Sequence, residues 1–273
     1  MKSSRISILT IVKGRKDHLN NLLLGIRRQT TPPDEVVIVH MNQEPDDQLE
    51  DPGVPLYQYS ISTPGHPLPL ALARNTAAAR AGGDCLLFLD VDCIPHPDYV
   101  GSLSRSVHRS RSLVMGEVRY LPEGANGEGW TVGSLDRAGQ PHPRRPQLEL
   151  SQTAPAPGYE LFWSLTFGIL RSDFERIGGF DTRFTGYGGE DTDFAFTARE
   201  IQLPFLLSGA RVYHQHHESH DPPYGHLKDI VTNATIFRQK WGHYPMEGWL
   251  RTFREEGLIE WDPEAGQLEL RQK

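Results

Sequence analysis

The sequence predicts an α/β fold: one mostly parallel central sheet flanked by helices. Three observations predict it. Short apolar runs of strand character alternate with segments of helical period, Gly or Pro marks several of the changes, and acidic or basic residues gather where the strands end. In order, residues 6–12 form a β-rich run leading into Lys13-Gly14-Arg15. Leu19, Leu22, Leu23 and Ile26 then repeat at helical spacing, and Thr31-Pro32-Pro33 ends that helix. Residues 36–39 are apolar on both faces, as in a buried parallel strand, and residues 56–61 read as a weaker third strand. The Ala-rich stretch 70–81 is a strong helix former stopped by Gly82-Gly83. Residues 85–89 form another buried strand, which runs into Asp90-Val91-Asp92.

The second half is less regular. Residues 113–120 and 162–170 read as strands, and 191–200 as a short helix. Residues 124–158, rich in Gly and Pro with little periodicity, read as a long flexible loop. Leu227, Ile230, Val231, Ala234, Phe237 and Trp241 mark an amphipathic helix. With no internal repeat and no clear linker, residues 1–273 are expected to form a single domain.

Composition narrows the function. Of 273 residues, 37% are hydrophobic and 23% charged, which excludes a mostly disordered chain. No apolar stretch approaches the roughly 18 residues of a membrane span, and Met1 to Ile6 shows no signal-peptide pattern. A net charge of -7 disfavours non-specific nucleic-acid binding, so any polyanion bound should be small and locally held. Two cysteines, Cys85 and Cys93, are too few for a disulfide framework and suggest a cytoplasmic, reducing setting.

Three clusters carry chemistry. In extended chain Asp90 and Asp92 face the same way and Val91 the other, and two adjacent carboxylates call for a cation. A hard divalent ion fits, with open positions for a diphosphate. Acids also end strands in ordinary turns; here the other strand ends carry Lys13, Arg15 and Arg74. The second cluster is Gly178-Gly179-Phe180-Asp181 followed by the run from Gly186 to Asp193. Glycines allow close backbone approach, and Tyr187 offers a flat surface for sugars or bases. Glu190 and Asp191 sit at a helix start, where the dipole favours an ionised carboxylate able to act as a general base. Three acids and three glycines within residues 186–193 exceed what a helix cap requires. The third cluster is His214, His216, His217, His220 and His226. Val212-Tyr213-His214 reads as a strand end beside the acids, with His216 facing the same way on a continued strand. An imidazole joining carboxylates suits Mn²⁺ better than Ca²⁺.

These motifs resemble those of the GT-A glycosyltransferases, specifically a β-1,4-galactosyltransferase-like group within a bacterial family-2-like frame. Residues 12–19, 39–43, 88–95 and 177–193 carry the likeness. It implies a donor site drawing on Val12, Lys13, Arg15, Asn42, Arg74, Asn75, Asp90, Val91, Tyr187, Gly188 and Gly189. It implies a Mn²⁺ or Mg²⁺ site of Asp92 and Asp90 with His214 or His216, Asp191 as general base, and Glu190 on a sugar. Residues 1–120 would be the nucleotide-sugar-binding half and 160–245 the acceptor half. Two departures stand out: Arg211 replaces a Met ligand, and Thr192 replaces a further acid. The likeness implies a soluble bacterial enzyme, cytoplasmic or peripheral at the membrane. It would move a galactose-type or N-acetylhexosamine-type sugar, with inversion, from a UDP-linked donor to a hydroxyl of a glycan or other acceptor. The rivals are a sugar-nucleotide nucleotidyltransferase, which would release pyrophosphate, and a non-catalytic glycan- or nucleotide-binding module, which would not hydrolyse a donor.

Overall fold

The computed structural model describes residues 4–218 and 221–271; Met1 to Ser3 and His220 lie outside them. The first half runs β1 (Ile6–Val12), α1 (Lys16–Arg27), β2 (Glu35–Met41), β3 (Leu56–Ile61), α2 (Leu70–Arg80), β4 (Cys85–Leu89), β5 (Cys93–Pro95), α3 (Tyr99–Ser110) and β6 (Leu113–Tyr120). There follow α4 (Val132–Ala138), β7 (Gln140–Pro141), β8 (Thr153–Pro155), β9 (Thr166–Leu170), α5 (Arg171–Ile177), α6 (Glu190–Glu200) and β10 (Phe205–His214). Then come α7 (Leu227–Trp241), α8 (Glu247–Glu255) and a hairpin of β11 (Ile259–Asp262) and β12 (Gln267–Leu270).

The main sheet has the strand order β3-β2-β1-β4-β9-β6-β10-β5. β1, β2, β3 and β4 are mutually parallel, and β9 runs antiparallel to both β4 and β6. Since β10 is parallel to β6, six strands share one direction. Their carboxyl ends at Val12, Met41, Ile61, Leu89, Tyr120 and His214 therefore open on one edge, where open α/β sheets bind ligands. Alternation splits the strand residues between two cores. Leu9, Ile11, Val37 and Val39 pack on one face; Ile8, Val12, Val36 and Ile38 pack on the other.

Three local readings change. Residues 124–158 are not a structureless loop. Thr131 and Ser134 form a reciprocal capping box that starts α4, and β7 and β8 pair with β6 and β10. Trp130 donates to Asn21 Oδ1 at 2.8 Å and lies under Arg28, so partners over 100 residues away order this segment. Helix α3 is an addition to the expected elements. Tyr99, Val100, Leu103 and Val107 form its buried stripe, while Ser106 and Ser110 bond back to carbonyls four residues earlier. The hairpin β11–β12 and α8 pack against α7 through their own apolar cluster.

A phenylalanine stack positions the second half. Phe194 on α6 lies 4.3 Å from Phe180 between ring centroids, and Phe167 on β9 lies 4.4 Å from Phe88 on β4. Phe194→Ala is expected to destabilise the protein by about 3–5 kcal/mol through lost contacts and a residual cavity, measured by urea unfolding.

Candidate active site

The strand-end basin starts with β1. Gly14 and Arg15 both hold positive φ, at 63° and 54°, turning the chain sharply into α1. That turn sends the Arg15 guanidinium to the carboxylate of Asp92 across 77 residues. Lys13 is exposed at the same rim. Asn42, at φ 51°, accepts from the Thr63 backbone at 2.6 Å and so fixes the turn after β2. Val12 and Val91 are buried in the apolar core, which leaves only their backbone groups for any contact at the rim.

Asp90 and Asp92 do not lie in extended chain. β4 stops at Leu89, and Cys93 N–H donates to Asp90 O at 2.9 Å, closing a tight turn. Alternation therefore does not place the two carboxylates. Asp92 is 3% exposed, whereas Asp90 is half-buried and receives its own neighbour's N–H from Val91 at 3.2 Å.

β10 brings the imidazoles. Because it is parallel to β6 and antiparallel to β5, its last residue, His214, pairs with Tyr120 and Cys93 in register. Asp92, His214 and His217 offer ligand atoms within 4.8 Å of one another. His217 Nε2 is 3.6 Å from Asp92 Oδ2. Burial, reinforced by His217 and Arg15, lowers the His214 pKa to about 4, and burial lowers that of His217 too. Both rings are thereby held in the neutral, metal-ligating form. Asp92 Oδ1 is buried without a hydrogen-bond partner among the described residues. One carboxylate with an orphaned oxygen and two neutral imidazoles suit a first-row divalent ion such as Mn²⁺.

His216, expected as a ligand, is instead exposed and outside this group; its carbonyl meets His18 Nε2 at 3.2 Å. Asp90 also stands outside it. Arg211, at the position of the absent Met, points to Glu117 and Asp136. Gln215 was unforeseen: fully buried, it donates backbone N–H to Asp92 O at 2.7 Å. Its side chain bonds Asn21, Asn126 and the His18 carbonyl, and so ties α1, the 124–158 segment and β10 to the Asp92 turn. Its position between two polar histidines hid it in the sequence.

The acid pair sits at the start of α6. Gly189, at φ 88°, turns into the helix, and Glu190 is 6% exposed with Oε1 3.1 Å from Arg74 Nη1. Arg74 thus lies inside α2 and not at a strand end; it also stacks over Phe180 at 5.2 Å. Asn75 spends its amide on Phe180, accepting its N–H and donating to its carbonyl, both at 2.8 Å. It holds the Gly-Gly-Phe turn. Asp191 accepts the N–H of Thr192 at 2.7 Å. Burial, followed by the Glu190 charge, raises its pKa to about 7. Asp193 is structural: Lys240 and Trp241 on α7 take its two oxygens.

From beneath, Asn233 donates to the carbonyls of Thr185 and Gly188 at 2.9 and 2.8 Å, fixing the glycine loop. Gly188 holds φ 96°, which strains any residue with a side chain, and a Cβ there would meet Met246 Sδ at 2.9 Å. Tyr187 is 41% exposed, with its ring stacked on His226 at 4.8 Å. Burial, then the charges of Asp191, Glu190 and Asp90, pushes its pKa up to about 12.

The sequence profile of glycosyl transferase family 2 matches residues 7–160, and that of the N-terminal domain of galactosyltransferase matches residues 144–218. The O-antigen biosynthesis protein RfbC of Myxococcus xanthus is 31% identical over 225 residues, covering 77% of this chain and 17% of that protein. Validoxylamine A glucosyltransferase of Streptomyces hygroscopicus subsp. limoneus is 24% identical, covering 87% of this chain and 58% of that one. The chain thus spans less than two thirds of either relative. S. aureus TarS 1–349 in complex with UDP shares the fold at TM-score 0.55 and 16% identity, covering 84% of this chain and 64% of that one. GalNAc-T7 with UDP, GalNAc and Mn²⁺ does so at 0.57 and 14%, covering 93% and 57%. No helix among the described residues is long and apolar enough to cross a membrane. With its frame matched over more than half its length, this chain belongs to glycosyl transferase family 2.

Proposed function

We propose that the chain is an inverting, divalent-metal-dependent transferase that moves a sugar from a UDP-linked donor to an acceptor hydroxyl. One observation carries this reading. A carboxylate tuned to near-neutral pKa, Asp191, lies with its buried Glu190–Arg74 neighbours on a chain whose Asp92, His214 and His217 converge at the ends of the parallel strands. The UDP in the TarS complex, and the UDP and Mn²⁺ of GalNAc-T7, support the donor and cofactor classes.

Asp191 takes the proton of the acceptor hydroxyl while that oxygen attacks the anomeric carbon. The carbon–oxygen bond to the diphosphate breaks in the same step, and the diphosphate leaves with the electron pair. One displacement inverts the anomeric centre. Glu190, with Oε1 on Arg74, keeps Oε2 for a sugar hydroxyl. Lys13 and Arg15 add positive charge on the strand-end side. A divalent ion held by Asp92, His214 and His217 would neutralise charge on the leaving diphosphate. A nucleotidyltransferase would leave the tuned Asp191 without a proton to accept.

Titration calorimetry of UDP with Mn²⁺ tests the metal group. Asp92→Ala is expected to abolish metal-dependent binding and His217→Ala to weaken it at least about tenfold, while His216→Ala leaves it unchanged. If His216→Ala alone weakened binding, the ligand set would be wrong.

Asp191→Asn is expected to lower turnover by about 10²–10⁴ with UDP affinity intact, since an amide cannot accept the proton. In the unmodified enzyme turnover should fall below about pH 7, as Asp191 protonates. A rate that stays flat down to pH 5 would rule Asp191 out as the base.

The same shift has a stability consequence. The folded pKa of Asp191 is raised from 3.8 to about 7, so the protonated form is favoured by folding. That contribution is full below pH 4 and lost as pH rises through 7. Asp191→Asn should therefore melt above the parent at pH 8 and level with it at pH 4, as read by calorimetric scans.

A further inference from the structure

A recess on the other side of Tyr120 is not used by the mechanism above. It is lined by Glu117, Tyr120, His142, Arg145, Trp163 and Ser208. Its wall is continuous with the metal group. Tyr120 pairs with His214 across β6 and β10, with ring centroids 5.3 Å apart. Beyond it, His142 is 6.1 Å from Tyr120 and 4.8 Å from Trp163. Trp163 is two residues before Leu165, whose carbonyl receives Asp90 N–H at 2.8 Å.

Arg145 is the unmatched charge of this recess. Its guanidinium lies 3.9 Å over Trp163 and donates to the Leu161 carbonyl, yet Nη1 is buried without an acceptor among the described residues. Glu117, the carboxylate in the wall, has Oε1 on Arg119 and Oε2 on Arg211. His142, whose pKa is lowered by burial and by Arg145 and Arg144, brings no charge at neutral pH. Burial without a carboxylate pulls the Arg145 pKa down to about 10. A desolvated guanidinium with a free N–H on an aromatic floor matches an anion carried by a sugar ring.

We propose that this recess binds the anionic group, carboxylate or phosphate, of an acidic acceptor, with Arg145 as its counter-ion. The proposal rests on the transferase reading and names its acceptor class. The test is titration of the protein, saturated with UDP and Mn²⁺, with glucuronic acid, glucose 6-phosphate and glucose. At least one anionic sugar should bind at least tenfold more tightly than glucose, and which one does separates carboxylate from phosphate. Arg145→Gln should erase the preference with UDP affinity unchanged, and Arg145→Lys, which keeps the charge, should retain part of it. Equal or absent binding of all three sugars to the unmodified protein overturns the proposal, whatever the variants do. So does a preference that survives Arg145→Gln. If UDP with Mn²⁺ failed to bind at all, the transferase reading would fall first and separately.

Discussion

The buried ion pair between Arg74 and Glu190 joins the two halves of the molecule. Its partners are 116 residues apart, 3.1 Å from each other, and each side chain is 8% exposed. Neither charge is tolerable there alone, and losing one partner of such a pair typically costs about 3–5 kcal/mol. A buried pair adds little net stability over an apolar contact; what it adds is register. Arg74 fixes where α6 begins, Asn75 beside it fixes the Gly-Gly-Phe turn, and Phe180 packs under both. Two successive residues of α2 thus set the position of the acid pair.

That placement explains why two adjacent acids behave differently. Glu190 is matched by a guanidinium, whereas Asp191 has the N–H and hydroxyl of Thr192 and the field of Glu190. An acid next to a fixed negative charge in a dry site holds its proton to higher pH. At the metal group the same logic runs the other way, with burial and Arg15 keeping the imidazoles neutral.

The parallel frame was legible because its signal is local: strands such as Val36-Val37-Ile38-Val39 are apolar on both faces wherever they are met. The family motifs that point to His214 and the acid pair are local in the same way. The Asp90–Asp92 geometry was not legible, because a turn hydrogen bond replaces strand alternation at that point. His217, and not His216, lies beside Asp92 and His214 because the chain leaves the strand at His214, so strand alternation does not continue to His216. The segment 124–158 hid its order in distant partners such as Asn21 and β10, although its Thr131–Ser134 box was readable. Helix α3 was also readable, from Tyr99, Leu103 and Val107 at helical spacing, but its serines masked the stripe.

The pairing of β5 with β10 bears on how the protein comes into being. Cys93–Pro95 leaves the ribosome more than a hundred residues before its partner segment Val212–His214. Until that segment arrives, β5 and the edge of β6 have no neighbour on that side, and Asp92 has neither imidazole. The amino-terminal strands can pair among themselves as they emerge: β2 meets β3 across 20 residues, β1 meets β2 across 28, and β4 joins β1 across 79. The Asp92, His214 and His217 group is therefore among the last features the nascent chain can assemble, and until then a strand edge stays open to mispairing.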